Sequence, residues 1–397
     1  MSAPTRSQLW RGAAAVVAST PVLVWWLERL LAIPSSGWFR PDGAFALGGD
    51  LRSLQAAAWL ATHGNGHIVY DADAFRAFSG AGESGAFFAH PPPFLGLLAP
   101  LGWVSFETAW WVLAGLSAVG TVAALRMLGV TRAATGSMLA LVFPPVYFAV
   151  TFGQVSVVWV LILAAVYRLV TADRPRAAGI VAGLMVMKPP LAIGLALWWL
   201  IDWGRFRVVA TTAAAAAVGY LGVSYLVLRG VWPGFIRSFP ELYFEPIDPL
   251  RQWAQFSLWS SWNVLFPTRP GLVLVAGVIF SAAAVGMMIP VVRRAGSTPG
   301  AFAAGTVLVV LVAPYVIAYD WALLLIPGVL LWLHREEDRS WLAIVFALVT
   351  VVSAWSTVLV LELIDRFGFA VQLAPLVLLV VVWRGRAVFP GLRPRLV

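Results

Sequence analysis

Gly48-Gly49-Asp50-Leu51-Arg52 sets a carboxylate and a guanidinium just beyond the first long apolar run of the chain. Two glycines ahead of an acidic residue mark a helix start. Asp50–Thr62 then carries Leu51, Leu54 and Ala58 on one face, with Arg52, Ser53 and Gln55 opposite. His63-Gly64-Asn65-Gly66-His67 ends it. An amphipathic helix placed between apolar runs reads as lying on a membrane surface. Spans on either side and a polar helix outside them make an all-α membrane fold.

Composition agrees with that class. Of 397 residues, 61% are hydrophobic and only 11% are charged, whereas a soluble chain carries about a quarter charged residues. Mean hydropathy is +0.86. The apolar runs are continuous rather than alternating, which argues against an outer-membrane barrel. The expected class is an all-α polytopic membrane protein. Its net charge of +9 comes from Lys and Arg gathered in short loops, as the positive-inside rule requires. No basic run is interleaved with aromatics, so no nucleic acid is expected as a partner. Zero cysteines remove disulfides, thiolate metal sites and cysteine nucleophiles.

Basic clusters set the orientation. Arg6 and Arg11 precede a first span at Ala13–Ile33, too long for a signal peptide and followed by no small-residue cleavage site. Residues 34–91 then form a first extracytoplasmic loop. It holds a second short helix over Ala72–Phe78 and a flexible Gly80–Gly85 stretch, and His90-Pro91-Pro92-Pro93 turns back into the bilayer. Phe94–Leu128 reads as a short or broken segment, interrupted near Trp103–Glu107, and then a full span. An outer turn follows at Thr151–Gln154. Residues 177–203 hold Lys188-Pro189-Pro190 in their middle, so two half-length segments should meet there. A span from Val208 to Leu228 leads to a second extracytoplasmic loop, residues 229–269. Two hairpins follow, with outer turns near Pro314–Asp320 and Glu362–Arg366. The basic clusters from Arg126 to the C-terminal arginines all fall on one side of this count. The expectation is a single integral domain over residues 1–397, in the cell membrane, with roughly 11 to 13 membrane segments and both termini cytoplasmic. No internal repeat marks an inverted-repeat transporter.

Several polar residues carry candidate chemistry. Asp50 suits a helix cap, and equally a base: a carboxylate near a helix start is stabilised as the anion and can take a proton from a sugar hydroxyl. Lys188 lies inside an apolar run, where a charge either snorkels outward or faces a cavity. The prolines beside it free backbone groups that only protein or water can cover. Its functional reading is a cation for a phosphate. Gln154 reads as a cap, a packing residue or a ligand. His90 could bond a phosphate or a sugar, or be an interfacial histidine. In Tyr319-Asp320-Trp321, Asp320 is either a second sugar ligand or a helix cap. Arg237, Arg251, Gln255 and Asn263 lie among Trp253, Trp259 and Trp262, a mixture that suits a sugar and also an interface belt. His63 and His67 lack a third ligand nearby, so no metal is expected. There is no phosphate-binding Walker pattern and no nucleophile elbow, and no cofactor is expected.

The order of these features resembles the polyprenol-phosphate-dependent glycosyltransferases of the GT-C fold, in particular glycosyltransferase family eighty-seven, the actinobacterial α-1,2-mannosyltransferases. The family's outer-loop Asp ahead of an amphipathic helix corresponds to Asp50. Its Gly–Tyr stretch and Pro-Pro turn correspond to Gly66–Tyr70 and His90-Pro91-Pro92. Its Gly-Gln motif after a proline-rich span matches Pro144, Pro145 and Gly153-Gln154, and its Gly-x-x-x-Gly…Lys-x-Pro segment resembles Gly179, Gly183, Lys188 and Pro190. Two family features differ. An Asn-Gln-Ser triplet is represented only by Gln255-Phe256-Ser257, and a Ser-Pro…His-His segment is replaced by Ala313-Pro314…Tyr319-Asp320.

The resemblance implies a GT-C-like bundle and an inverting transfer of a hexose, mannose above all, from a polyprenyl-phosphate-linked donor. The acceptor would be a glycolipid or glycan. Asp50 would be the base. Lys188, with His90 and Arg251 behind it, would face the phosphate, and Arg52, Gln154, Tyr319 and Asp320 would line the substrate. A transporter or flippase of a lipid-linked sugar is the alternative reading of the same spans, and a non-catalytic membrane scaffold a third. The transporter reading does not explain a carboxylate heading a helix outside the membrane, and the replaced His-His segment keeps the scaffold reading open.

Overall fold

A computed structural model of the chain describes residues 48–79, 88–131, 143–244, 256–266, 269–334 and 372–384, with positions 356, 363 and 366–367. The expected first span at Ala13–Ile33, the Gly80–Gly85 stretch, Arg251, Gln255 and most of the Glu362–Arg366 turn lie outside these residues. The described residues are helical and contain no strand. In chain order the helices are α1 (Gly49–Thr62), α2 (Ala72–Ser79), α3 (Pro92–Leu98), α4 (Phe106–Met127), α5 (Pro144–Phe152), α6 (Ser156–Thr171), α7 (Pro175–Gly183) and α8 (Pro189–Ile201). They continue as α9 (Trp203–Val227), α10 (Trp232–Phe244), α11 (Leu258–Leu265), α12 (Pro270–Arg294), α13 (Thr298–Val312), α14 (Leu325–His334) and α15 (Ala374–Arg384).

Prolines write many of the starts. Each of α3, α5, α7, α8, α12 and α13 has proline in its first two positions, where the missing N–H would have had no helical partner. Among the described residues, three helices are long and apolar enough to cross a membrane: α4, α9 and, from Gly271, α12. They turn apolar side chains outward. On α9, Val218, Val223, Leu226 and Val227 are all largely exposed, as are Val275, Val278 and Ile279 on α12. Faces of this size and polarity are covered by lipid in a protein of this class. The all-α membrane class therefore holds.

Short, broken segments surround these spans, as the sequence leads one to expect. Helix α7 runs into a 3-10 turn, Leu184–Met187, and α8 starts afresh at Pro189, so Lys188 sits at the break. Helix α7 lies hard against α9. A Cβ on Gly179 would stand 2.6 Å from Thr212 Cβ, and one on Gly183 would stand 2.7 Å from Ala216 Cβ. The Gly-x-x-x-Gly pattern is thus a helix–helix contact in which glycine allows backbone approach. The segment 229–269 contains two helices, α10 and α11, that its mixed composition did not announce.

The structure also changes what the apolar face of α1 covers. Leu51, Leu54, Ala57, Ala58 and Leu60 are buried within the chain itself. A 3-10 turn, Ala99–Trp103, lies across α1, and Gly102 comes so close that a Cβ there would be 2.8 Å from the Trp59 nitrogen. Gln55 ties the two together by donating to the carbonyls of Leu101 and Val104 at 3.1 and 2.8 Å. Protein rather than lipid takes the apolar stripe, because α3 and the turn after it fold back over the helix.

Candidate functional site

Two left-handed glycines build the outer edge of the site. Helix α5 ends at Gly153, whose φ is +67°. Gly153 N–H donates to Val150 O at 3.1 Å and Gln154 N–H to Ala149 O at 2.7 Å, the paired bonds of a Schellman end. Gly48, with φ +70°, caps α1. Its N–H donates to Thr151 O at 2.8 Å. A Cβ on Gly153 would stand 2.6 Å from Leu51 Cβ and 3.2 Å from Gly48 Cα. Only glycine lets the end of α5 and the start of α1 touch in this way.

That contact aims two side chains at each other. Gln154 Nε2 donates to Asp50 Oδ2 at 2.8 Å, across a sequence separation of 104. Burial first, and then the charge of the nearby Asp50 carboxylate, push the Tyr319 phenol well above its ordinary value. Asp50 is half-buried, while Gln154 and Tyr319 are buried. Asp50 is not the cap of α1: Gly48 holds that position, no side chain caps the helix, and Asp50 lies inside the first turn. Its Oδ2 turns instead toward Gln154.

The inner part of the site is a buried ion pair. Lys188 Nζ lies 2.5 Å from Asp320 Oδ1, with Lys188 5% and Asp320 1% exposed. Ser156 Oγ donates to the same oxygen at 2.9 Å, and Asp320 Oδ2 accepts from Ile317 N–H at 3.1 Å. Asp320 therefore does cap its turn, Ala318–Leu324, and also balances the lysine. Lys188 Nζ stands 5.5 Å from the centre of the Tyr319 ring, which links this pair to the Asp50 end.

His90 lies beside Lys188, ahead of α3. Its Nδ1 faces Met187 O at 3.3 Å, its ring stacks on Phe94 with centroids 4.1 Å apart, and its carbonyl accepts from the Tyr70 hydroxyl. Burial, reinforced by the Lys188 charge, pulls the imidazole down to about 3. Near neutral pH it is an uncharged hydrogen-bonding group. Ser238 on α10 donates to Tyr70 O at 2.7 Å, which ties α10 to this wall.

Asp50, Gln154, Lys188, Tyr319, Asp320 and His90 thus gather in one cluster. Arg52 points away from it, its guanidinium 4.4 Å from the Phe106 ring centre. Arg237 is exposed on α10. His63 stacks on Trp59 at 4.1 Å. Phe256 and Ser257 belong to the wall behind the ion pair: Phe256 N–H donates to Val316 O, Phe256 O accepts from Trp321 Nε1, and Ser257 Oγ reaches Pro314 O. Ser156 was passed over in the sequence. Its one signal is its place two residues after the Gly-Gln turn, at the start of α6.

The family model described as Glycosyltransferase family 87 matches residues 88–314, more than half of the chain. No curated protein and no solved structure matches. The matched range contains His90, Gln154 and Lys188, and the cluster extends beyond it to Asp50 on one side and to Tyr319 and Asp320 on the other.

Proposed function

The chain belongs to glycosyltransferase family 87, and from that premise we propose an inverting hexosyl transfer at the extracytoplasmic face of the cell membrane. The donor is a hexose, mannose first, on a polyprenyl phosphate, and the acceptor is a hydroxyl of a glycolipid or glycan. The chain forms one multi-pass domain with both termini in the cytoplasm, and the lipid tail of the donor lies between spans.

The reading rests on one observation: a half-buried carboxylate, Asp50, is held by Gln154 at the rim of an otherwise buried polar cluster. Asp50 takes the proton of the acceptor hydroxyl. That oxygen bonds to the anomeric carbon as the bond from carbon to phosphate oxygen breaks. The bonding pair leaves with polyprenyl phosphate, and the configuration inverts. Negative charge grows on the leaving phosphate, so a cation nearby favours the transition state over the ground state. Lys188 is the cation of the cluster, acting from within its pair with Asp320. His90, uncharged near neutral pH, contributes hydrogen bonding rather than charge.

Asp50→Asn tests the assignment, because it keeps the shape of the side chain and removes its basicity. With labelled polyprenyl-phosphate mannose and a membrane glycolipid extract, transfer should fall by about 10² to 10⁴, with the thermal transition of the purified protein little changed. Near-normal turnover in that variant would overturn Asp50 as the base.

A further inference from the structure

We infer that the turn joining α5 to α6, residues 151–156, sets the separation between the two ends of the cluster. Gln154 positions the base and Ser156 positions the counter-ion of Lys188, and neither is a sugar ligand. This deepens the proposed reaction and rests on Asp50 being its base.

Three hydrogen bonds run from this one turn to distant parts of the chain. Thr151 O accepts from Gly48 N–H at 2.8 Å, which fixes the start of α1. Gln154 Nε2 donates to Asp50 Oδ2 at 2.8 Å, and Ser156 Oγ donates to Asp320 Oδ1 at 2.9 Å. The same Asp320 oxygen pairs with Lys188 Nζ. The base and the counter-ion are thus held by donors two residues apart, and two residues of chain reach at most about 7 Å. The turn has little freedom of its own. Gly153 closes α5 in the left-handed region with the paired bonds from Gly153 and Gln154 N–H, and Leu51 packs against it. Gln154 and Ser156 are 7% and 1% exposed, and each points its donor at a carboxylate. In the proposed reaction the base and the cation stand on opposite sides of one anomeric carbon. Their separation therefore matters as much as their identity, and a misplacement of about 1 Å can cost on the order of 10² in rate. Fixing that separation before substrate arrives removes reorganisation from the reaction itself.

The test pairs Gln154→Met with Ser156→Ala in the full-length protein, assayed with labelled polyprenyl-phosphate mannose and glycolipid extract. Methionine keeps the length of the side chain and removes the donor. In Gln154→Met kcat should fall on the order of tenfold or more, the loss typical of a hydrogen bond to a charged group. In Ser156→Ala it should fall about threefold or more, less because Asp320 keeps its other two donors. The KM for donor and for extract should stay within about twofold in both, since neither lost bond touches substrate. Their pH profiles should differ. The acid limb of kcat/KM should move to higher pH in Gln154→Met, because the lost bond favoured the charged form of the base. Ser156→Ala should leave that limb in place, since it acts at the other end of the cluster. A purely structural role would lower the active fraction and move no limb. Gln154→Glu keeps the shape and sets a second carboxylate beside Asp50, so it should move the limb further the same way even if the Met variant folds poorly. An unmoved limb in both Gln154 variants, a Ser156→Ala variant equal to wild type, or a rise in KM with unchanged kcat in either would overturn the positioning role. Asp50→Asn run beside them separates the two readings: if it still transfers, the base assignment fails, and if it is dead while Gln154→Met equals wild type, only the role of the turn fails.

Discussion

Asp50 and Lys188 stand at the two ends of one cluster and are held in opposite ways. Asp50 is half-buried, and a neutral group, the Gln154 amide, holds its carboxylate. Lys188 is buried, and another charge holds it, Asp320, with Ser156 behind. The difference bears on how each charge is available to a ligand. A charge at the rim, gripped by a neutral donor, keeps its charge for whatever approaches. A charge in the interior, matched by a counter-ion, serves first to keep its partner satisfied. A buried lysine in an apolar run, read alone, suggests a bare cation awaiting a phosphate. In the fold Asp320 pairs with it, so an anion would meet Lys188 within an ion pair rather than as a bare cation.

The strongest way to break that comparison is to split the ion pair. Lys188→Met leaves Asp320 buried without its counter-charge, and Asp320→Leu does the reverse to Lys188. Each should cost about 3 to 5 kcal/mol of stability, seen as a large fall in the thermal transition followed by size-exclusion chromatography in detergent. The double variant Lys188→Met/Asp320→Leu should recover most of that loss, since replacing both members by apolar groups is often neutral. If either single variant is as stable as wild type, the pair is not a support, and the bare-cation reading of Lys188 returns.

A smaller effect is expected where the two ends of the cluster are joined by backbone. Gly153→Ala puts a side chain at φ +67° and sets its Cβ 2.6 Å from Leu51 Cβ. Gly64→Ala is the control. Its φ is +80°, but nothing lies within 4 Å of the new Cβ. Both should lose about 1 to 2 kcal/mol from left-handed strain. Only Gly153→Ala should also lose transfer, because it pushes Gln154 away from Asp50. Equal activity in the two variants would show that the glycine contact does not set the base.

Much of the scaffold was legible in the sequence, because the signals are local. Prolines opened helices, Lys188-Pro189-Pro190 broke a segment in two, and Gly153 ended α5. Asp50, Gln154, Lys188, Tyr319 and Asp320 each stood out for a local reason, a polar group where an apolar one belongs. What the sequence could not show is which of them meet. Gln154 lies 104 residues from Asp50, and Lys188 lies 132 from Asp320, and no helical or strand period relates such positions. The covering of α1 failed to show for a related reason. An apolar stripe says that a face is buried, not whether lipid or protein buries it. The Ala99–Trp103 turn settles that point, and nothing in Leu51, Leu54 or Ala58 names it.

The last expected effect concerns His90, which borders the charged end of the cluster, and it is seen only as pH falls. Burial first, and then the Lys188 ammonium, bring its imidazole from an ordinary value of 6.5 to about 3, while the Met187 carbonyl works the other way. The unfolded chain therefore binds a proton here between about pH 6.5 and pH 3 that the folded chain refuses. Stability must fall as pH drops through that window, and the contribution is whole only above it. The slope from one such group cannot exceed about 1.4 kcal/mol per pH unit. His90→Gln removes the titration, so the gap between its thermal transition and that of wild type should shift in favour of the variant as pH falls from 7.5 to 4. Parallel pH curves for the two proteins would mean that the imidazole is neither dry nor near an effective positive charge. Asp320 would then screen Lys188 from its surroundings more completely than their geometry implies, and the charged end of the cluster would be as neutral outward as the Asp50 end is charged.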